Sequence, residues 1–447
     1  MSLNEDGTDT FNKLLQIALT ILTKYPLCDS CLGRQFAALG RGITNKERGF
    51  ALKLLLTLEA HRLYLEGKED ESKKSLKVLA KTGHAPAYEV LNQISNEVIK
   101  TEKCYICSDI MKNLEHYVNM VITKLKGSEY DFNTILIGCR MPLEIIERED
   151  RIRSEFGLEH GESIKKEFNR EVGKLVQKAL SKQYDTVHPD MIVIVDLVND
   201  KVELEPSPLF IYGRYKKLVR GIPQNKWIVF KEGKRIRKYK ESIEELIALP
   251  ILEVTKGAGY KFHGAGREDV DARMLGNGRP FVIEIKRPKV RDLDLKKLEE
   301  IINQQAKGKV EVTGLQFVDK RTIRKIKTMA EYSTKTYRAL VELEREIKED
   351  DVRKLEDIFK NLTISQRTPR RVLHRRADKI RKKKVYELKV VNYEGKNLEL
   401  LIRCQGGLYI KELIHGDEGR TKPSIAEVLD CKAKCLELDV IDVEELL

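Results

Sequence analysis

Three acids, Glu268, Asp269 and Asp271, lie between Arg267 and Arg273 and are the side chains of this sequence best placed for catalysis. A carboxylate that a nearby cation keeps ionised and oriented can act as a nucleophile. The same acids could instead neutralise the two arginines on an exposed surface, with little energetic consequence. The segment alone therefore leaves a catalytic and a structural interpretation open.

The same region also allows a metal-dependent hydrolase. A glycine-rich turn at 275–278 predicts a hairpin, with Asp271 on its first arm or just before it and with Glu284 and Lys286 on a later β-prone run. An acid followed by Glu-x-Lys resembles the metal site of many nucleases, in which carboxylates hold Mg²⁺ and the lysine polarises a phosphate. The order of the glycines matches neither a Walker loop nor a dinucleotide-binding fingerprint.

Four of the eight cysteines form two CxxC pairs, at Cys28 and Cys31 and at Cys104 and Cys107. Four thiolates bind Zn²⁺ tetrahedrally, and a CxxC turn presents two of them together. The 72 residues between the pairs exceed the spacing of compact zinc ribbons, and redox-active or disulfide-bonded cysteines are the alternative. The pairing favours one closed, structural zinc site.

Positive charge is concentrated in three stretches of a chain whose net charge is +13. Residues 366–384 contain ten basic residues and one acid, and residues 212–220 and 231–240 add clusters in which tyrosines separate the cations. Such clusters bind a phosphate backbone because each neutralised phosphate releases condensed counterions, so they favour RNA contact over solvated loops. The expected RNA contacts are Arg214, Lys216, Lys217, Arg220, Arg370, Arg371, Arg375 and Arg376.

The spacing of apolar residues predicts an α+β protein. Helical periodicity dominates around both cysteine pairs, and from residue 133 β-prone runs alternate with helices. A length of 447 residues indicates about three domains. The predicted order is a helical region with the four-cysteine site at 1–130, an α/β RNA-binding module at 131–230, a basic linker at 231–245, and a mixed, mostly antiparallel domain at 246–447.

The composition is that of a globular protein, with 41% apolar and 34% charged residues. No run approaches about 18 consecutive apolar residues, and the first ten residues lack the basic and apolar parts of a signal peptide. We therefore expect a cytoplasmic protein without a membrane partner.

Four motifs carry a resemblance to a known family. They are AGREDVDARMLGNGRPFVIEI at 265–285, KTYRAL at 335–340, RTPRRVLHRR at 367–376 and GGLYIKELIHGDEGRT at 406–421. In this order they resemble the archaeal tRNA pseudouridine synthases that act in the T-loop, at uridines 54 and 55. The CxxC pairs and the α/β module resemble the zinc-containing, THUMP-like N-terminal region of that family. The resemblance covers nearly the whole chain and implies an isomerase with a C-terminal pseudouridine synthase catalytic domain.

The resemblance also implies a nucleophile and a base-stacking tyrosine. In these synthases the catalytic aspartate lies in a GRxD-like motif, which matches Gly266 to Asp269. Asp269 is therefore the implied nucleophile, with Asp271 as the alternative. A second motif places a tyrosine on a strand after a lysine. Tyr337 occupies that position and is implied to stack on the flipped uracil and to help remove its C5 proton.

The third motif of the family, Tyr-Ile-Arg/Lys, implies further contacts. Tyr409 is expected against the base, and Lys411 is expected to form a salt bridge with Asp269, although a lysine cannot pair bidentately as an arginine does. Arg267 is the other cation that could orient the aspartate. Leu429 is expected to supply an apolar wall.

The implied reaction extrudes a uridine from its stack, because C1′ and C6 are inaccessible within a folded loop. It requires the T-loop and arm of tRNA as partner and a structural Zn²⁺. The resemblance implies no organic cofactor, no catalytic metal and no obligate protein partner. Two alternatives stay open at this point. One is a metal-dependent RNA nuclease using Asp271, Glu284 and Lys286, and the other is a tRNA-binding protein without catalysis.

Overall fold

The computed structural model describes residues 5–231 and 233–444, and the side chains of residues 5–12, 329, 331 and 375 lie outside the description. The chain divides into two compact units, at 1–207 and 208–447. Within the described residues, no helix is long and apolar enough to cross a membrane.

The first unit begins with helices that surround the two cysteine pairs. They are α1 (Glu5–Lys24), α2 (Asp29–Arg34), α3 (Asn45–Leu65), α4 (Glu69–Lys81), α5 (Ala85–Ser95) and α6 (Leu114–Lys126), with a 3-10 turn at Ile110–Lys112. Helix α4 buries Leu76, Leu79 and Ala80, which follow helical spacing, in the core of the unit, while most residues at 68–74 are exposed.

The rest of the first unit is an α/β module with a four-stranded sheet. Its elements are β1 (Thr134–Arg140), α7 (Leu143–Phe156), α8 (Ile164–Leu180), β2 (Gln183–Tyr184), β3 (Met191–Asp196) and β4 (Lys201–Pro206). The strand order is β2-β1-β3-β4, in which β1 and β3 are parallel and β4 is antiparallel to β3. Alternate residues of β1 and β3 pack with one face of α8, as the period-2 and period-3.6 patterns predict.

The second unit is built on one large sheet. Its elements are β5 (Leu209–Lys217), β6 (Ile228–Lys231), β7 (Lys234–Arg237), α9 (Ile243–Thr255), β8 (Gly259–Gly264), β9 (Arg273–Lys286), α10 (Leu295–Gln305), β10 (Val310–Val318), α11 (Lys320–Tyr332), β11 (Thr334–Leu343), α12 (Glu349–Ile358), β12 (Leu362–Arg367), β13 (Ile380–Glu394), β14 (Asn397–Gln405), α13 (Ile410–His415), β15 (Thr421–Lys422), α14 (Ile425–Leu429) and β16 (Ala433–Val443), with a 3-10 turn at Arg370–Arg375. The strand order is β10-β5-β9-β16-β11-β14-β13-β12-β15, and β8 pairs with β9. The neighbouring strands are antiparallel except for β9 and β16, which confirms the mixed, mostly antiparallel sheet that the sequence predicted.

Two segments, at 209–217 and 231–245, differ from the sequence prediction. Residues 209–217, expected in the α/β module, form β5 and pair with β9 and β10 of the large sheet. The expected linker at 231–245 contains part of the two-stranded hairpin β6–β7, whose strands pair with each other. Alternating burial along β5 explains the first difference, because its inward residues belong to the core of the second unit.

The glycine-rich turn at 275–278 is not the end of a hairpin. It is a kink inside the long strand β9, whose hairpin partner is β8. Gly276 and Gly278 both have positive φ, and a Cβ on Gly276 would lie 1.8 Å from the carbonyl oxygen of Ile441. Glycine is required there so that β9 can pass close to β16. The acids therefore lie in the connection between β8 and β9.

Candidate active site

The connection between β8 and β9 is anchored by its first acid. Glu268 is buried and accepts hydrogen bonds from the Tyr215 hydroxyl, at 2.9 and 3.0 Å, and from Nε of Arg279 at 2.9 Å. Arg279 also donates to the carbonyl oxygen of Ala265 at 2.8 Å. A buried, fully paired carboxylate of this kind holds backbone in place and is not available to attack a substrate.

Two cations of the basic stretch at 212–220 donate hydrogen bonds to the backbone of the same connection. Nζ of the buried Lys217 donates to the carbonyl oxygens of Asp269, at 3.1 Å, and Val270, at 2.8 Å, and burial lowers the pKa of this lysine to about 8. Arg220 donates to the carbonyl oxygen of Asp271 at 2.9 Å. These two charges, expected on an RNA-binding surface, are bound to the loop that presents the acids.

The two aspartates of the connection have different partners. Oδ1 of Asp269 accepts a hydrogen bond from Nη1 of Arg371 at 3.0 Å, and its Oδ2 lies 3.9 Å from Nζ of Lys411. Lys411 binds Asp271 more closely, at 2.6 Å. Arg371 is itself oriented by the buried Glu412, at 2.6 Å. Asp269 is thus held in one orientation by a guanidinium, with about a third of its side chain exposed.

Asp269 lines a cavity of about 210 Å³, together with aromatic, apolar and basic side chains. Tyr337 of β11 and Tyr409, at the start of α13, line the cavity, and burial raises the pKa of Tyr337 above its usual range. The hydroxyl of Tyr409 accepts a hydrogen bond from Nη1 of Arg376 at 3.0 Å. The remaining lining residues are Gly266, Arg267, Glu268, Ala272, Arg279, Ala330, Lys335, Arg371, Gly407, Leu408, Ile410, Lys411, Leu438 and Val440. A flat, uncharged ring could be held here beside a carboxylate.

The other two expected substrate contacts differ from each other, because Arg267 lines the cavity and Leu429 does not. Leu429 is buried in the core of the second unit and does not line the cavity, whose apolar wall includes Leu438 and Val440. Arg267 lies at the cavity edge with its guanidinium 5.9 Å from the ring of Trp227. The closest ion pair of Asp269 in the described part of the chain is with Arg371.

The remaining basic residues differ in their availability for RNA. Arg214 donates to the carbonyl oxygens of Asn277 and Gly278, and Lys216 pairs with Glu311 at 3.0 Å. Arg370 pairs with Glu418, Arg376 donates to Tyr409, and the side chain of Arg375 lies outside the description. Arg371 and Arg376 therefore line the cavity, whereas the cations at 214–220 hold protein backbone or pair with protein carboxylates.

Two contributors to the site were not singled out as such by the sequence. Arg371 was expected to contact RNA, yet it is 102 residues from the aspartate that it orients. Lys335 is two residues before Tyr337 on β11 and so lies on the same face of the strand. It is buried, lines the cavity and forms no ion pair with a carboxylate in the described part of the chain. Burial, together with nearby Arg279, lowers the pKa of Lys335 to about 7.

We expect Lys335→Met to stabilise the protein at neutral pH by about 1–3 kcal/mol, because it removes a buried amine that lacks a carboxylate partner. Between pH 7 and 10.5 the unfolded chain keeps the lysine proton that the folded chain releases, so wild-type stability should rise with pH across this window. The variant should lose that part of the rise. Urea unfolding at several pH values measures both effects.

Lys286→Met, which changes an exposed lysine of β9, is the matched control and should alter stability by less than about 0.5 kcal/mol. A Lys335→Met protein that is less stable than wild type at pH 7, with an unchanged pH profile, would contradict the assignment of a costly buried amine.

The residues of the nuclease alternative are engaged separately. Asp271 binds Lys411, whereas Oε2 of Glu284 lies 3.0 Å from Nε2 of His263, and Lys286 is exposed. Among residues 5–231 and 233–444, one group of three or more potential ligands lies close enough together to hold a metal ion. This group consists of the four cysteines. The chain therefore does not bring Asp271 and Glu284 together as ligands of one ion.

The four cysteines of the first unit converge at one point. The sulfur atoms of Cys28, Cys31, Cys104 and Cys107 all lie within 4.8 Å of one another, and those of Cys28 and Cys107 are 3.7 Å apart. A tetrahedral ion with metal–sulfur bonds of about 2.3 Å places its sulfurs about 3.8 Å apart. All four residues are buried, and all are free thiols rather than disulfides. The donor set thus fits a closed metal site.

The metal site is tied to the α/β module by a buried arginine. Nη2 of Arg34 lies 3.4 Å from the sulfur of Cys31, and the same guanidinium donates to Glu149 at 2.7 Å and Glu167 at 2.8 Å. Glu149 and Glu167 belong to α7 and α8. The cation therefore links one cysteine of the cluster to both helices of the module.

Comparison with known proteins identifies the family. A model described as "Pus10, C-terminal" matches residues 210–444, and one described as "Pus10 THUMP domain, archaeal" matches residues 117–196. A "tRNA pseudouridine synthase Pus10" from Thermofilum pendens is 43% identical over 437 residues, covering 98% of this chain and 97% of that protein. The protein of the same description from Methanocaldococcus jannaschii is 46% identical over 444 residues, covering 95% and 93%.

Among solved structures, a Cbf5–Nop10–Gar1 complex is similar at 18% identity over 52% of this chain and 58% of that chain, with a TM-score of 0.29. The assignment comes from the sequence relatives, which match at 43% and 46% identity over nearly the full length of both chains. The chain belongs to the Pus10 family of tRNA pseudouridine synthases, which are isomerases.

Proposed function

We propose that this enzyme converts uridine to pseudouridine in the T-loop of tRNA, at positions 54 and 55, with Asp269 as nucleophile. The observation that carries the proposal is the position of Asp269. Its carboxylate is oriented by Arg371 and lines a cavity between Tyr337 and Tyr409. Neighbouring Glu268 forms hydrogen bonds with buried protein groups, and Asp271 forms an ion pair with Lys411. Asp269 is therefore the acid that we propose to face a bound base.

The reaction is an isomerisation in which no atoms are gained or lost. The glycosidic bond between C1′ and N1 breaks, a bond between C1′ and C5 forms, the C5 proton leaves, and N1 gains a proton. Asp269 attacks the extruded nucleotide and later departs. We propose that Tyr337, Tyr409, Leu438 and Val440, which line the cavity, hold the detached uracil while it rotates, and that Tyr337 assists loss of the C5 proton. Base extrusion exposes the reacting atoms.

The partner that we propose is the T-arm of tRNA in the cytoplasm. Arg371 and Arg376 line the cavity, and we propose that the basic residues at 370–376 contact the phosphates on either side of the extruded uridine. We further propose that the four cysteines hold one structural Zn²⁺, since the donor set and the sulfur separations match that ion. A bound zinc would cross-link distant parts of the first unit and serve a structural role.

The proposal predicts the modified position. Incubation of the pure protein with an unmodified tRNA transcript should yield pseudouridine at 54, 55 or both, and at no uridine outside the T-loop. Chemical mapping of pseudouridine along the RNA measures activity and position together. A transcript in which uridines 54 and 55 are both replaced by cytidine is the control and should stay unmodified. Pseudouridine formed only outside the T-loop would overturn the proposed specificity while leaving the family intact.

A further inference from the structure

We propose that Trp227 and Tyr239 form a stacking subsite for an unpaired nucleobase that neighbours the target uridine in the RNA. The inference rests on the proposed function, since it assigns the next nucleotide of the same substrate. It concerns a second cavity of the second unit, next to the cavity between Tyr337 and Tyr409. Neither the sequence motifs nor the reaction itself explains this second cavity.

The second cavity adjoins the first. Trp227 and Tyr239 line it together with Asp269 and Lys411. Five residues line both cavities, namely Arg267, Glu268, Asp269, Arg371 and Lys411. A nucleotide chain that places one uridine at Asp269 would therefore lead its neighbour along this groove toward the two rings.

The two rings present the chemistry that single-stranded RNA requires. Their centroids are 5.6 Å apart with an interplanar angle of 44°, and both residues are partly exposed. Nζ of Lys238 lies 4.7 Å from the centroid of the Trp227 ring, and the guanidinium of Arg267 lies 5.9 Å from it. Both cations belong to exposed residues. Aromatic faces stack on bases of any sequence, while adjacent cations bind the phosphates.

The hairpin β6–β7, between Trp227 and Tyr239, supports an RNA ligand over a protein partner. It exposes Phe230, at 72% of its surface, with Arg235 5.5 Å from the ring centroid. The hairpin also carries Lys231, Lys234 and Arg237. Exposed aromatic rings interleaved with cations suit a polyanion, whereas a protein-binding patch is depleted in lysine at its centre.

Trp227 is the only tryptophan, so its fluorescence reports on this subsite alone. The probe is a T-arm hairpin RNA that contains the target uridine. Two further RNAs carry an abasic nucleotide immediately 5′ or 3′ of that uridine. We expect the intact RNA to quench the fluorescence of the wild-type protein and one of the abasic RNAs to quench it much less. Saturating RNA that leaves the fluorescence unchanged would overturn the subsite.

Variants separate stacking from a structural role. Trp227→Ala should raise KM for the intact RNA by about 5- to 100-fold, the value of one stacked base, and should make the intact and the sensitive abasic RNA nearly equivalent. Trp227→Phe should restore most of the difference between the two RNAs. Tyr393→Ala removes an exposed tyrosine of β13 that lines neither cavity, and it should behave as wild type.

If Trp227→Ala raises KM equally for the intact and the abasic RNAs, the inference is overturned, because a tryptophan with only a structural role does not distinguish the two RNAs. The proposed function fails in a different way. If the wild-type enzyme forms no pseudouridine in the intact hairpin or in full-length tRNA, the substrate assignment is wrong, whatever the fluorescence shows.

Discussion

Replacing Asp269 by asparagine should reduce pseudouridine formation on a tRNA transcript by on the order of 10⁴-fold or more. The substitution keeps the size of the side chain but removes the negative charge with which the nucleophile attacks. Binding of tRNA should change only a few-fold, because phosphate contacts rather than this carboxylate supply most of the affinity. Single-turnover kinetics with excess enzyme, together with a filter-binding titration, measure the two quantities separately.

Asp271→Asn is the matched control, since it removes the neighbouring carboxylate on the same connection. Asp271 binds Lys411 and is largely exposed, so the variant should lose orientation of that lysine and retain measurable turnover. Thermal unfolding of both variants checks that the connection between β8 and β9 still folds. Substantial turnover by Asp269→Asn, with none by Asp271→Asn, would move the nucleophile to Asp271.

Removing the metal that we propose for the four cysteines should unfold much of the first unit. Structural zinc contributes on the order of 10 kcal/mol to small domains that depend on it, which is comparable to the whole stability of a domain. The cysteines are buried among Leu27, Leu32 and Ile106, so uncompensated loss of the ion would leave thiols in the centre of that core. The protein as purified should contain about one zinc per chain, and a strong chelator should abolish one thermal transition.

Cys31→Ser should reproduce the effect of the chelator, because a serine hydroxyl is a poor substitute for a thiolate ligand. Its loss would also release Arg34, the buried cation that binds Glu149 and Glu167, so the α/β module should become more accessible to proteases. Cys139→Ser, in β1 and outside the cluster, is the control and should keep the full zinc content. Elemental analysis showing no metal in a fully folded wild-type protein would exclude a structural zinc site.

Local sequence was sufficient for the parts of this protein that depend on short-range pattern. Two CxxC pairs indicated one four-cysteine cluster, and the alternation of β-prone runs with helical periodicity indicated an α+β protein. The GRxD-like motif singled out Asp269, and the four ordered motifs identified the family. Each of these features is encoded by a short motif, or by the spacing of residues within one element.

Tertiary structure alone decided how the charges are partnered. Arg371 comes to Asp269 from 102 residues away, because the order of strands in the sheet brings the two segments together. Lys217 looks like an RNA contact in the sequence, yet the alternation of β5 turns it inward to hold the backbone of Asp269. Leu429 was expected at the base but lies in the core. A local pattern sets the face on which a residue lies, whereas its partner depends on which strands become neighbours, and no short-range spacing determines that order.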